Sequence, residues 1–506
     1  MLKEALEQAH ALLDTLADPR DQESLQKMID QAQQALDTGD AETIHLQTGL
    51  LLEVIRGLEN AEAEAMDLSG VWKMNLSDYS QGMEYSDNVQ LPGTLDTNKK
   101  GTANTYKDPK RLSRYFLYTG PAAYEKDVFV PYAWQDQQIV LYLERSRATR
   151  VWVNGEEVTG SDSASLLPVA QQYDLSGLLT PGEINSITVV VDNSYPNMPS
   201  AAILNSSMAT EETQTNWNGI VGRMELQIKT DAAIRDLRAY PNDELTGVQV
   251  QVDLANSSQQ NRAGTLTVEV AGKVVQQEYN LTGGESVTLT LDVELPDARL
   301  WSEYDPWLYT AEASLDNGST MSETFGMRRF AADNGRFTIN GAEVFLRSEA
   351  NCAVFPLTAY APMDEASWEK LFQTYQSYGL NSVRFHSWCP PEAAFDAADK
   401  LGMYLFPELS SWDAGSMFGD DVEKDYFSRE AMALIKEYAN HPSFVGLSFG
   451  NELAFSSDGA AFANQLLGEL KAQDPTRLYA GFSNGAYGGY SPMENADFFT
   501  GQTYLG

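Results

Sequence analysis

Cysteine is nearly absent from this chain. Two among 506 residues, Cys352 and Cys389, exclude a disulfide framework and any thiolate zinc cluster. Histidine is almost as rare, and His10, His45, His386 and His441 are too scattered to suggest a metal site by spacing. Positive charge is short as well: 34 Lys and Arg stand against 72 Asp and Glu, a formal net charge of −38. Nucleic acid and anionic membranes are poor partners for such a surface. No apolar run is long enough to cross a bilayer, and Met1 to His10 lacks the charged-then-apolar form of a secretory leader. The expectation is a soluble, reduced protein, cytoplasmic by default, or secreted or cell-surface if the true N-terminus has been cut away.

What is present suffices for several domains. A chain of 506 residues, 43% hydrophobic and 10% aromatic, can build large cores. Residues 1–66 read as three amphipathic helices. Leu2, Leu6, Ala9, Leu13 and Leu16 step by four and three, as do Leu25, Ile29, Ala32 and Leu36; Leu51, Ile55 and Leu58 continue after a break at 37–40. They predict a small antiparallel bundle, set apart by an Ala- and Glu-rich linker at 59–67.

From Leu68 the period changes to two. Val128–Val130, Ile139–Leu143, Val151–Val153 and Ile187–Val191 read as strands, and Asn154-Gly155 signals a hairpin. Many short strands over 67–230 predict a sandwich or jelly roll. Residues 231–332 alternate cleanly at Val248–Val252, Leu266–Val270 and Val287–Leu291, which predicts an immunoglobulin-like β-sandwich. At about Asp333 strands begin to alternate with helices, the grammar of βα units. Expected strands are Glu343–Arg347, Ser382–Phe385, Met403–Phe406, Val445–Phe449, Leu478–Ala480 and Phe498–Thr500. Asp364 caps a helix that Gly379 ends, and Pro390-Pro391 opens another that stops before Gly402.

The stretch His441–Leu453, HPSFVGLSFGNEL, organises this last region. Pro442 ends a helix, Phe444–Phe449 suits a strand buried on both faces, and Gly450-Asn451-Glu452 puts an amide and a carboxylate at its C-terminal tip. In isolation that reads as a capped turn. In its setting it resembles the acid/base segment of glycoside hydrolase family 2, the β-galactosidase and β-glucuronidase family. Gly120-Pro121 to Lys126, Arg150–Gly155, Tyr173–Leu175 and Thr213–Ile220 resemble that family's sugar-binding jelly roll; Leu300-Trp301, Pro306–Tyr309 and Phe325–Arg328 resemble its middle domain. The helical front resembles FIVAR-type modules of surface carbohydrate-active proteins, the alternative being a spacer or a bundle that makes a homo-oligomer.

The resemblance implies a multidomain fold. A helical N-terminal bundle (1–66) precedes a jelly roll (67–230), an immunoglobulin-like β-sandwich (231–332) and a (β/α)8 TIM barrel (333–506). The barrel is expected to be incomplete, since 333–506 is 174 residues against roughly 250 for a closed one. Glu452 is the implied acid/base and Asn451 the implied partner of the sugar 2-hydroxyl. Arg384 orients the surroundings of the nucleophile and Tyr504 bonds to it. The nucleophile itself has no counterpart here, so this chain alone is expected to be inactive. His386 is either a sugar contact or a supporting residue, and its spacing from Arg384 differs from many relatives. Trp388 and Trp412 either stack on a pyranose face or pack in the interior. Glu408 either meets a sugar hydroxyl or pairs with Arg384. Arg347-Ser348 departs from the usual Arg-Gly after the first strand. Hydrolysis needs no organic cofactor, and the Mg²⁺ or Na⁺ of some relatives has no signature here.

The expected activity is a retaining exo-β-glycosidase on terminal β-galactosides or uronides, worked by two carboxylates. Two other readings stand beside it: a carbohydrate-binding or adhesive surface protein whose barrel is inactive, and a barrel lyase or isomerase, which the two preceding sandwiches disfavour by analogy.

Overall fold

A computed structural model describes residues 1–106, 112–413, 415–483 and 493–501. The N-terminal helices are Leu2–Leu13, Pro19–Thr38 and Ala41–Glu59. Asp18 and Asp40 cap the second and third by accepting from the Arg20 and Thr43 amides at 2.8 Å. Gly39, at φ +71°, ends the second in a left-handed cap.

The three helices do close on one another through Leu6, Leu25, Ile29, Leu51 and Ile55, but the same apolar cluster includes Phe129 and Ile184 of the first sandwich. Gly57 makes this contact possible. A Cβ there would lie 2.5 Å from the Phe129 carbonyl oxygen, so only a bare Cα lets the third helix rest on that strand. Buried Asp21 accepts from the Tyr132 amide at 3.0 Å. The expected linker is therefore corrected. Ala65–Asp67 is a strand paired antiparallel with Gly219–Lys229, and the bundle is docked on the sandwich.

The first sandwich packs two sheets. One runs Ala65–Asp67, Gly219–Lys229, Gln138–Arg145, Gln171–Asp174; the other runs Glu156–Val158, Ala148–Val153, Ile184–Asp192, Pro121–Phe129, Gly70–Asn75, Asp87–Leu91. Alternation sends Val151, Val153, Ile187, Val189 and Val191 inward onto Trp72, Tyr124 and Leu141. Asn154 (φ +51°) and Gly155 (φ +86°) make the tight hairpin that their pairing predicts. The second sandwich packs three strands (Ala232–Pro241, Gly247–Asn256, Ser286–Glu294) on four (Lys273–Leu281, Arg262–Val270, Tyr309–Leu315, Thr320–Phe325). Its core alternates Val248, Val250, Val252 against Leu266, Val268, Val270.

Beyond it the order of strands differs from expectation at both ends. Ala342–Val344 is not the first parallel strand; it pairs antiparallel with Arg336–Ile339. Phe345 is 76% exposed, so the apolar run at 344–346 that suggested a strand belongs to a surface hairpin. The first parallel strand is Ser348–Asn351, followed by Ser382–Phe385 and Tyr404–Phe406. Gly446–Ser448 and Leu478–Ala480 pair in parallel, and parallel bridges Leu405↔Phe444 and Glu408↔Ser448 join them to the third strand. Segment 498–500, expected as a sixth strand, is irregular. Phe498 packs its ring against Phe337 and Phe406 at 5.8 and 6.1 Å.

Helices Glu365–Ser377, Glu392–Leu401, Asp421–Glu437 and Ser457–Gln473 intervene between the strands. Asp364 caps the first from 2.9 Å, and Gly402 (φ +74°) ends the second. Buried arginines tie this region to the sandwiches. Arg145 donates to the Cys389 and Pro390 carbonyls at 2.9 Å. Arg328 reaches those of Pro442 (3.0 Å) and Phe444 (2.9 Å).

The bundle contact generates a test. Gly57→Leu forces a side chain against Phe129, and overpacking of this kind costs roughly 1–3 kcal/mol. Residues 1–60 should then melt and be cut by protease ahead of the rest. A variant that melts in one step at the wild-type temperature would show that the docked contact adds no stability.

Candidate active site

The chemistry-bearing side chains collect at the C-terminal tips of the parallel strands. In Ser382–Phe385, Val383 and Phe385 are fully buried on the side facing Trp368 and Phe372. The pleat therefore turns Arg384 to the opposite side. There its guanidinium serves three neighbouring strands at once. Nε donates to Glu408 Oε1 at 2.7 Å, and Nη2 donates to Asn451 Oδ1 at 2.6 Å and to Ser483 Oγ at 2.7 Å. Glu408 is 1% exposed and takes a further bond from the Ser387 amide at 2.6 Å. Of the two accounts of Glu408, the ion pair with Arg384 is the one observed.

Asn451 is fully buried, and with Oδ1 held by Arg384 its Nδ2 is left without a partner among the described residues. Buried donors are nearly always satisfied, so an amide like this aims its hydrogens where a ligand can sit. Gly450 adopts φ +140°, and a Cβ there would fall 2.2 Å from the Ser411 carbonyl oxygen. This close approach lets the Asn451 amide donate to that same carbonyl at 3.2 Å. Glu452 follows at φ +50°, in the left-handed region, with its amide bonded to the Ser483 carbonyl at 3.0 Å. The residue is half-buried, and its left-handed backbone breaks the chain away from the strand at this tip.

His386 stands beside this group. Its Nδ1 is 3.2 Å from both Ser207 Oγ and Ser387 Oγ, and its ring meets Trp412 edge to face at 4.9 Å. Burial pushes its pKa down; the Glu408 and Glu452 carboxylates oppose that and the Arg384 charge adds to it. Trp412 is half-buried, its amide bonded to the Ala202 carbonyl at 3.2 Å.

Of the two readings of Trp388, packing in the interior is the one observed. It is 3% exposed, its indole N–H bonds to the Asn351 carbonyl at 2.8 Å, and Phe355, Trp368 and Phe385 surround the ring. No open face is left for a sugar. Tyr504 lies outside the described residues. Ser207 escaped sequence reasoning altogether, since nothing local marks it. It arrives on a loop of the first sandwich that buried Arg147 clamps by donating to the carbonyls of Met208 (3.0 Å), Trp217 (3.2 Å) and Thr215. Among the described residues no three His, Cys, Asp or Glu side chains converge as a metal ligand set. No helix of the described chain is long and apolar enough to cross a membrane.

The turn that launches the Glu452 strand has its own anchor. Asp399 accepts from His441 Nδ1 at 2.7 Å and from the Ser443 amide at 2.9 Å. Burial alone would lower His441, but the charge and hydrogen bond of Asp399 outweigh it and hold its pKa above the ordinary value. A raised histidine contributes stability that is fully present below its unfolded pKa of about 6.5 and lost as pH rises through the folded value. Asp399→Asn should therefore lower the melting temperature more at pH 5.5 than at pH 9. Equal losses at both would mean that the pair is not ionic.

A family model, that of Glycosyl hydrolases family 2, matches residues 232–328, the second sandwich. A Paenibacillus borealis β-glucuronidase is 24% identical over 445 residues, covering 82% of this chain and 72% of that protein. An Enterobacter cloacae β-galactosidase is 27% identical over 361 residues, 65% of this chain and 32% of the other. Among solved structures, Bacteroides uniformis β-glucuronidase superposes with a TM-score of 0.70 at 19% identity, over 83% of this chain and 52% of that one. This chain thus spans about half the length of that structure and a third of the β-galactosidase.

Proposed function

Within glycoside hydrolase family 2, to which this chain belongs, we propose that the protein is a retaining exo-β-glycosidase acting on terminal β-galactosides or β-uronides. We read the five parallel strands, in sequential order with helices between, as the opening units of a (β/α)8 barrel. Such barrels carry their chemistry at the strand tips found here. The relatives' names, β-glucuronidase and β-galactosidase, support the reaction class.

One observation carries the reading. The Asn451 side-chain amide is buried, fixed at one end by Arg384, and presents an N–H donor with no partner among the described residues, directly before Glu452. That is what a site must offer to grip a sugar hydroxyl next to a proton donor. Glu452 serves as general acid/base: it protonates the glycosidic oxygen as the bond breaks, then removes a proton from the incoming water. Arg384 and Glu408 hold Asn451 in place. The nucleophilic carboxylate comes from outside the described residues, roughly 5 Å from Glu452 as retention requires. Glu408, already engaged by Arg384 and the Ser387 amide, is not available for that role. His386 and Trp412 flank the sugar, and hydrolysis by two carboxylates calls for no organic cofactor.

The test uses Glu452→Ala in the full-length protein. Loss of acid assistance should slow glycosylation ~10²–10⁴-fold for alkyl or sugar aglycones. It should slow that step little for dinitrophenyl glycosides, which leave unassisted. With these the covalent intermediate accumulates, and azide should restore turnover and yield a β-glycosyl azide. Asn451→Ala should slow every aglycone and gain nothing from azide. A Glu452→Ala enzyme that behaves like Asn451→Ala would make Glu452 a binding residue.

A further inference from the structure

We propose that Ser207, delivered by the first sandwich, and Ser387 beside it are positioning residues that set the protonation of His386. Together they hold the imidazole neutral with the proton on Nε2, so that the ring acts as a hydrogen-bond donor toward the strand tips. The proposal deepens the glycosidase reading and rests on it only for what the donor meets, namely a sugar oxygen.

The Ser207 amide donates to Ser387 Oγ at 2.8 Å, and the Ser387 amide donates to Glu408 Oε2 at 2.6 Å. Both amides are thereby spent. Two hydroxyl hydrogens remain, on side chains that are 0% (Ser387) and 4% (Ser207) exposed, where water cannot take them. Ser387 Oγ donates to Ser207 Oγ at 3.4 Å, and Ser207 Oγ lies 3.2 Å from His386 Nδ1.

If Nδ1 accepts, both hydrogens are placed: Ser387 gives to Ser207, and Ser207 gives to the ring. If Nδ1 carried the proton, it would donate into the same pair of oxygens, and one buried hydroxyl hydrogen would have no acceptor. The neutral ring then has its proton on Nε2, which has no partner among the described residues. An imidazolium is disfavoured as well, because burial and the Arg384 guanidinium oppose a second proton; the Glu408 and Glu452 carboxylates act the other way.

The arrangement is built to last. Ser387 is held at φ +54°, a conformation that a serine adopts only when its surroundings demand it. The Ser207 loop is pinned beneath by Arg147, whose guanidinium also stacks on Trp217 at 3.6 Å. Two domains thus meet in one hydroxyl chain, and the sandwich reaches the chemistry through a serine that touches no carboxylate.

The test reads the tautomer directly and needs neither substrate nor turnover. The chain has four histidines, so a sample labelled with ¹⁵N-histidine gives a short spectrum, and loss of one pattern in His386→Gln assigns it. Two-bond ¹H–¹⁵N correlations, taken where imidazole is neutral, should show His386 as a single Nε2–H form. Ser387 Oγ is also 3.2 Å from Nδ1 and can donate in place of Ser207, so a mixture of both tautomers is expected when both hydroxyls are removed, in Ser207→Ala/Ser387→Ala, while Ser207→Thr with Ser387 intact should keep the single form. The His441 pattern, tied to Asp399, reports in each sample that the fold is intact. If the pair of alanines disturbs it, Ser207→Cys/Ser387→Cys takes its place, near-isosteres that donate poorly. A wild-type Nδ1–H form, or a single Nε2–H form that survives loss of both hydroxyls, overturns the proposal. Because no sugar enters the measurement, failure of the glycosidase reading would leave this result to be judged alone.

Discussion

The site depends on one guanidinium. Arg384, with its side chain 20% exposed, bridges a carboxylate from the third strand, an amide from the fourth and a hydroxyl from the fifth. Glu408 is 1% exposed, so without Arg384 it would be an unpaired charge in the interior, a loss of about 3–5 kcal/mol. Arginine suits the place because its planar fork sends several donors in fixed directions, which a lysine cannot do. The same contacts that satisfy these buried groups also orient Asn451, and through the chain that follows it, Glu452. Stability and placement of the acid are here one interaction.

A second constraint runs through the whole molecule. In a chain with more than twice as many acidic as basic residues, several arginines are buried against carbonyl oxygens rather than carboxylates. Arg147 and Arg328 are the clearest: burial pushes their pKa down to about 10 and about 9, and backbone carbonyls solvate them in place of water. Each sits where one domain meets the next or where a functional loop leaves the sheet. A carbonyl acceptor is supplied by the backbone whatever the neighbouring side chains are. The joints are thereby fixed by main-chain geometry, and domains joined in this way hold a site that draws residues from more than one of them.

The Gly57 contact extends the principle to the helical front. Its helices have the apolar stripes of a free bundle, and nothing in their periodicity distinguishes a stripe closed on itself from one shared with Phe129 and Ile184. The shared contact and the Asp21 bond to Tyr132 make the front part of the sandwich wall.

Much of this was readable from the sequence alone, wherever the cause was local. The change from period four-and-three to period two at Leu68, the Asn154-Gly155 hairpin, the caps at Asp364 and Gly402, and the strand running into Gly450-Asn451-Glu452 all follow from backbone preference and side-chain pattern within a few residues. What lay beyond reach was decided by contacts distant in sequence. Residues 342–344 alternate like any half-buried strand, and only their neighbours make them a surface hairpin. Trp388 could face a ligand or the interior until Phe355 and Trp368 closed around it. Glu408 became an ion-pair partner only because two parallel strands bring it to Arg384. Ser207 lies 179 residues from His386 and carries no local mark, since its role exists only where the sandwich loop is pressed onto the strand tips. Sequence determined which elements form and which chemistry they carry; tertiary structure decided which groups meet, because burial and hydrogen-bond satisfaction are properties of the assembled neighbours.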